Sequence, residues 1–260
     1  MPVEHGRTLL SVQGVSKRFG GVVALDELSF TVDEGQICGL IGPNGAGKTS
    51  LFNIVSRLDT PDRGRVDFAG SDLLDVPPHG IAQAGVARTF QNLALFPALS
   101  VLDNVMVGAH TASSAGFLAA PFRLPGVRSE ERRVRRRSLE ILELLSLTPL
   151  AERAAAGLPY GTLKRVELAR ALAASPRLLL LDEPAGGLTA VEVDALAGLV
   201  RRVKEELALT VLLVEHHMAM VMGISDKVVV MEFGRTIAEG TPAEVTSDPV
   251  VVEAYLGGAA

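Results

Sequence analysis

Eight residues, Gly42-Pro43-Asn44-Gly45-Ala46-Gly47-Lys48-Thr49, fit the spacing G-x-x-x-x-G-K-[ST], which suits the holding of phosphate. Glycines let the backbone curl so that successive N–H groups converge on one anion. Lys48 can reach the β- and γ-phosphates of a nucleotide, and the Thr49 hydroxyl can ligate Mg²⁺, with Ser50 completing the cradle. The surroundings support the pattern. Gln36 to Ile41 reads as a short apolar strand, and Leu51, Ile54, Val55 and Leu58 recur at helical spacing. A helix opening near Lys48 points the positive end of its dipole at the same anion. The stretch marks a nucleotide-binding protein.

A second signal is the apolar strand Leu178 to Leu181 followed by Asp182-Glu183. A carboxylate at the C-terminal edge of a sheet lies where phosphate loops open, so Asp182 is placed to hold Mg²⁺. Glu183, one residue on, can turn toward the γ-phosphate and polarise an attacking water as general base. His216, after the strand ending at Val214, can donate to a γ-phosphate oxygen and stabilise transition-state charge. Gln91, after Arg88-Thr89-Phe90, can sense both Mg²⁺ and that water. Phe19 either stacks on a base or fills the core. No Asn-Lys-x-Asp guanine-reading motif follows, which argues against a GTPase.

A third feature lies between these signals. From Thr162, the residues Leu163, Val166, Ala169 and Leu172 repeat at helical spacing. Thr162 reads as the N-cap, so the helix begins just after Gly161 with free N–H groups. A second anion-facing helix start has little use in a monomer that already has a phosphate loop. It becomes useful if it faces the nucleotide of another copy.

The elements around these residues read as an α/β chain. Thr8 to Val12 and Val22 to Val32 predict strands, the second interrupted at Asp26-Glu27, with Lys17 to Gly21 as a turn. Arg65 to Phe68 predicts a strand, Gly80 to Gly85 a helical turn, and Glu130 to Leu147 one helix with Val134, Ile141, Leu142 and Leu145 on its apolar face. Strands return at Leu178 to Leu181 and Thr210 to Val214, separated by a helix striped with Val193, Leu196, Val200, Val203 and Leu207. Such continuous apolar strands imply a parallel sheet buried on both faces. Lys227 to Met231 and Arg235 to Ala238 form a hairpin, and Pro242 to Val245 and Pro249 to Leu256 short helices. The basic run Arg132 to Arg137 is either a solvated face paired with Glu130, Glu131 and Glu140, or a contact for anionic lipid or an acidic partner.

Composition narrows the class. The 260 residues can bury a sizeable core, and a net charge of −5 argues against broad nucleic-acid binding. The single cysteine, Cys38, permits no intramolecular disulfide. No apolar run approaches the roughly 18 residues of a membrane span, and Met1 to Leu10 lacks a signal-peptide core. A soluble chain that docks on a membrane partner is the expectation.

Together these residues resemble the ATPase subunits of ABC transporters over nearly the whole chain. The resemblance makes Gly42 to Thr49 the Walker A loop, Gln91 the Q-loop glutamine, Asp182-Glu183 the end of Walker B, and His216 the switch histidine. The signature Leu-Ser-Gly-Gly-Gln is met only at Leu158 and Gly161, since Pro159, Tyr160 and Thr162 depart from it. The aspartate expected in many relatives after Walker B is Thr189. The Tyr-Gly signature, the long insert before Glu130, Met222 to Asp226 and the ending Ala254 to Gly257 resemble branched-chain amino-acid importers.

The resemblance implies a P-loop NTPase, with a RecA-like core (1–91 and 166–241), an antiparallel β subdomain, an inserted helical subdomain (92–165) and a C-terminal extension (242–260). It implies ATP and Mg²⁺, with the ATP bound by Phe19, residues 42–50 and the partner's counterparts of Leu158, Gly161 and Thr162. It also implies a second ATPase subunit, permease subunits, a substrate-binding protein, and a place on the cytoplasmic face of the inner membrane. The competing expectations are a lipid or lipopolysaccharide exporter subunit and a non-transport ABC ATPase.

Overall fold

The computed structural model describes residues 6–89, 93–111 and 125–256. The chain opens with a long hairpin, β1 (Thr8–Phe19) and β2 (Val22–Asp33), followed by β3 (Ile37–Ile41) and helix α1 (Lys48–Val55). Strands β4 (Arg63–Phe68) and β5 (Ser71–Asp72) complete an antiparallel sheet of order β2-β1-β4-β5. Two expectations for the hairpin are corrected. Lys17 to Phe19 belong to β1, and only Gly20-Gly21 turns, because Phe19 pairs directly with Val22. β2 is not interrupted at Asp26-Glu27; Glu27 takes φ 53° at a bulge in the register and the strand continues.

After helix α2 (Ile81–Ala84), β6 (Val86–Arg88) enters a second sheet. Among the described residues the α-helices α3 (Val101–Thr111), α4 (Pro125–Leu144) and α5 (Tyr160–Ala173) follow. Then β7 (Leu178–Asp182), α6 (Ala190–Leu207), β8 (Thr210–Val214), α7 (Met218–Ile224), β9 (Lys227–Glu232) and β10 (Arg235–Gly240) lead to α8 (Pro242–Ser247) and α9 (Pro249–Leu256). The second sheet runs β10-β9-β3-β8-β7-β6, parallel except for β10 at its edge.

Its two faces explain the continuous apolar runs. Leu178 and Leu180 of β7 pack with Phe52 of α1 and the antiparallel sheet, while Leu179 and Leu181 pack with the helices α3 to α7. Cys38 is buried among the first group, and that burial pushes its thiol up to about 12. Helix α4 starts five residues earlier than expected and ends at Leu144, yet Val134, Ile141, Leu142 and Leu145 are all buried as expected. Within its basic run, Arg133 meets Glu130, Arg135 meets Glu152, and Arg136 and Arg137 both meet Glu140.

Candidate active site

The loop between β3 and α1 is shaped by backbone that only glycine tolerates. Gly47 has φ 99°, and a Cβ there would strike the Ala24 carbonyl and, at 2.7 Å, the Leu25 side chain. A Cβ on Gly42 would strike the Met231 carbonyl. Helix α1 has no side-chain N-cap, which leaves its first N–H groups for a ligand. Ala46 is fixed below the loop, its carbonyl accepting from the Gly234 N–H at 3.1 Å, while Asn44, Gly45 and Thr49 are exposed. Lys48 folds back over the loop, its Nζ donating to the Gly42 and Pro43 carbonyls at 2.6 and 2.9 Å. Burial holds its ammonium below the ordinary lysine value, and the nearby Glu183 carboxylate works in the opposite direction. A phosphate would replace those two carbonyls as the acceptor.

Facing this loop is the end of β7. Asp182 is buried, and its Oδ2 accepts from Arg88 Nη2 at 2.7 Å. Arg88 Nη1 also donates to Asn53 Oδ1 at 2.8 Å and Ser56 Oγ at 3.0 Å, so one guanidinium ties β6 to β7 and α1. Glu183 has the left-handed conformation, φ 48°, a sparsely populated region for a side chain of its size. Its N–H donates to the Val214 carbonyl at 2.9 Å, and its Oε1 lies 2.7 Å from His216 Nε2. The two residues assigned separately to water activation and charge stabilisation therefore form one hydrogen-bonded pair.

Beneath that pair is a residue to which the sequence reading gave no role. Glu215 is buried, and its carboxylate accepts the N–H groups of Ala185 (2.6 Å), His216 (2.8 Å) and His217 (3.0 Å). It fixes the backbone on both sides of the Glu183–His216 contact. Its signal was available as an acid next to His216 at a strand end. Tyr255 of α9 is the other omission: burial raises the pKa of its hydroxyl, and the Gly42 backbone beside it works in the opposite direction.

The start of α5 differs from expectation. The helix begins at Tyr160 with Pro159 as N-cap, and no side chain caps it. Thr162 is inside the first turn; its N–H donates to the Pro159 carbonyl at 2.9 Å, and its hydroxyl accepts from Arg165 Nη2 at 3.3 Å. Thr162 is thus neither the cap nor a free donor, and the N–H groups left uncommitted at this start are those of Tyr160 and Gly161. Leu158 is buried in the helical core. Phe19 does not fill the core: the residue is 49% exposed, with Lys17 Nζ 5.1 Å from its ring centroid. Gln91 lies outside the described residues.

As a metal site, the protein offers a hydroxyl at Thr49 and a carboxylate at Asp182, and no group of three or more His, Cys, Asp or Glu that could hold a metal ion is found among the described residues. That set is too small for an all-protein cage and fits a hard cation such as Mg²⁺, which keeps waters and binds through substrate phosphates. No helix among the described residues is long and apolar enough to cross a membrane.

Comparison with known proteins agrees with this geometry. Residues 25–186 match the family model for the ABC transporter, and residues 235–260 match that for the branched-chain amino acid ATP-binding cassette transporter. The chain is 42% identical over 251 residues to the high-affinity branched-chain amino acid transport ATP-binding protein BraF of Pseudomonas aeruginosa, covering 96% of this chain and 98% of that one. It is 38% identical over 249 residues to LivG of Escherichia coli, a protein of the same description, with the same coverage. Among solved structures, the ADP conformation of MJ1267, an ATP-binding cassette of an ABC transporter, superposes with TM-score 0.83 at 33% identity, over 96% of this chain and 99% of that one. The dimeric post-hydrolysis state of the cassette MJ0796, bound to ADP and Pi, gives TM-score 0.75 at 25% identity, over 90% and 99%. The phosphate loop, the carboxylate pair behind it and these likenesses together identify the chain as a member of the ABC transporter family, an ATP-hydrolysing cassette with a P-loop NTPase fold.

Proposed function

We propose that this cassette energises an importer of branched-chain or related amino acids, working from the cytoplasmic face of the membrane beneath permease subunits fed by a substrate-binding protein. The observation that carries the reading is the likeness to BraF over nearly the full length of both chains. Two copies, or one copy and a related subunit, enclose two ATP molecules, each between one chain's loop at residues 42–50 and the other chain's α5 start. Phe19 stacks on the adenine; Lys48 and His216 neutralise the phosphates; Glu183 and Gln91 place the attacking water. Mg²⁺, held by Thr49, Asp182 and Gln91, supplies further charge neutralisation at the phosphates. Leu158, Gly161 and Thr162 belong to the α5 end of this sandwich, with the N–H groups of Tyr160 and Gly161 as its donors.

Coupling to the permease follows from a cleft of about 490 Å³ between the nucleotide core and the helical stretch 92–165, lined by Leu58, Ile81, Ala87, Phe96, Val107 and Arg170. A cytoplasmic helix of a permease subunit, apolar on one face, fits such a lining. The test is reconstitution of the chain with its co-purifying permease in vesicles. Leucine-loaded binding protein is expected to stimulate ATP hydrolysis and leucine uptake together. Stimulation by an unrelated solute alone would overturn the substrate class.

A further inference from the structure

The departure of residues 158–162 from the signature pattern has a structural counterpart elsewhere in the same chain. Tyr160 stands where the pattern has its first glycine, and its ring is laid against Gly187. A Cβ built on Gly187 would lie 3.0 Å from Tyr160 Cε1 and 3.5 Å from Cζ, so the ring occupies the space a side chain at 187 would need. Gly187 also has φ 79°, a conformation few other residues adopt. Lys164, one turn along α5 and itself buried, sets its Nζ 5.6 Å from the centroid of the same ring.

A second contact runs parallel to the first. Glu192 caps α6 by accepting the Thr189 N–H at 2.9 Å and the Thr189 hydroxyl at 2.8 Å on Oε2. Its Oε1 lies 2.7 Å from the point where a Gly161 Cβ would stand, so the carboxylate rests on the first turn of α5. Between Glu183 and Thr189 the backbone is a succession of tight turns: Gly186 N–H donates to the Glu183 carbonyl at 3.2 Å and Leu188 N–H to the Ala185 carbonyl at 3.1 Å. This segment starts at the candidate general base and ends under Tyr160 and Glu192.

We propose that Tyr160 is a positioning residue that clamps the start of α5 to the 183–189 segment, so that the two shift as one body. The inference rests on the ATP-sandwich reading given above. In that reading α5 addresses the nucleotide held by the partner, while Glu183 serves the nucleotide held by its own chain. A clamp between them makes the fit of α5 on one ATP alter the placement of the base at the other. The ring supplies in this chain a mechanical link that a glycine at position 160 could not make.

The test uses the full chain with Tyr160→Ala, Tyr160→Phe and Tyr160→Leu, each checked for folding by thermal melting; Tyr160 is 44% exposed, so all three variants are expected to fold. Two quantities are read: hydrogen exchange of the amides at 185–188 in the isolated chain, and the ATP dependence of hydrolysis. Tyr160→Ala is expected to speed that exchange several-fold and to lower the Hill coefficient from about 2 toward 1, the limits for two coupled or independent sites. Tyr160→Phe is expected to keep both values, and Tyr160→Leu to fall between. Unchanged exchange, or an unchanged Hill coefficient, in Tyr160→Ala overturns the clamp, as does a parent chain that hydrolyses without cooperativity. Failure of the sandwich itself is visible separately: a Glu183→Gln chain would then not pair in the presence of ATP, whatever the state of Tyr160.

Discussion

A single carboxylate at position 215 holds three N–H groups, and two of them belong to the residues flanking the site: Ala185 after the Glu183 turn, and His216 itself. A buried carboxylate needs such donors, and the donors need it. Glu215→Ala would leave the buried Ala185 N–H, and the part-buried N–H groups of His216 and His217, without their acceptor, at a cost of about 1–3 kcal/mol. The expected result is a lower urea midpoint together with a lower kcat, because the 2.7 Å contact between Glu183 and His216 loses its footing. An unchanged midpoint would contradict the role. The local motifs at 42–49, 182–183 and 216 were legible in the sequence because each is a contiguous run whose spacing carries the chemistry. Arg88 was not, because Asp182 lies 94 residues away; Glu215 could be seen as an acid next to His216, but its hold on Ala185, 30 residues away, arises only in the fold.

Among the elements, β6 is the shortest strand of the parallel sheet and sits at its edge, held on one side by β7. Arg88 reinforces it by joining β6 to Asp182 and to Asn53 and Ser56 of the helix behind the phosphate loop. Removing the guanidinium leaves Asp182 buried without that cation. Arg88→Ala is therefore expected to destabilise by about 3–5 kcal/mol, measured by urea unfolding, far more than an exposed ion pair would. Most strands and helices followed from periodicity, but β5, β6, α3 and α7 were not expected and several boundaries moved, two of them for a clear reason. Thr162 has the ordinary N-cap preference, yet Pro159, with φ −54° and ψ 147°, takes that position and its carbonyl accepts from Thr162 and Leu163. Lys17 to Phe19 carry turn-like neighbours on one side, but pairing across β1 and β2 extends the strand to the glycines.

At the scale of the molecule, both faces of the parallel sheet are buried, one against α1 and the antiparallel sheet and the other against the helices, so loop and carboxylates meet at one sheet edge. Helix α9 returns to that edge: Val251 is buried in the helical core, and the Gly42 backbone lies close enough to the Tyr255 hydroxyl to influence it. Tyr255→Phe removes the hydroxyl that lies beside the Gly42 backbone and is expected to raise the KM for ATP by about 2- to 10-fold, with the melting temperature little changed. An unaltered KM would detach α9 from nucleotide binding. The account as a whole depends on two chains closing over shared nucleotide, with Glu183 needed for hydrolysis and dispensable for closure. The most direct measurement is the light-scattering mass of Glu183→Gln with ATP and Mg²⁺, alone and mixed with the related subunit that co-purifies with the permease. The expected result is a stable two-cassette species with hydrolysis reduced about 10²- to 10⁴-fold. A chain that stays a monomer under both conditions, or one that still hydrolyses ATP at the parent rate, would contradict it.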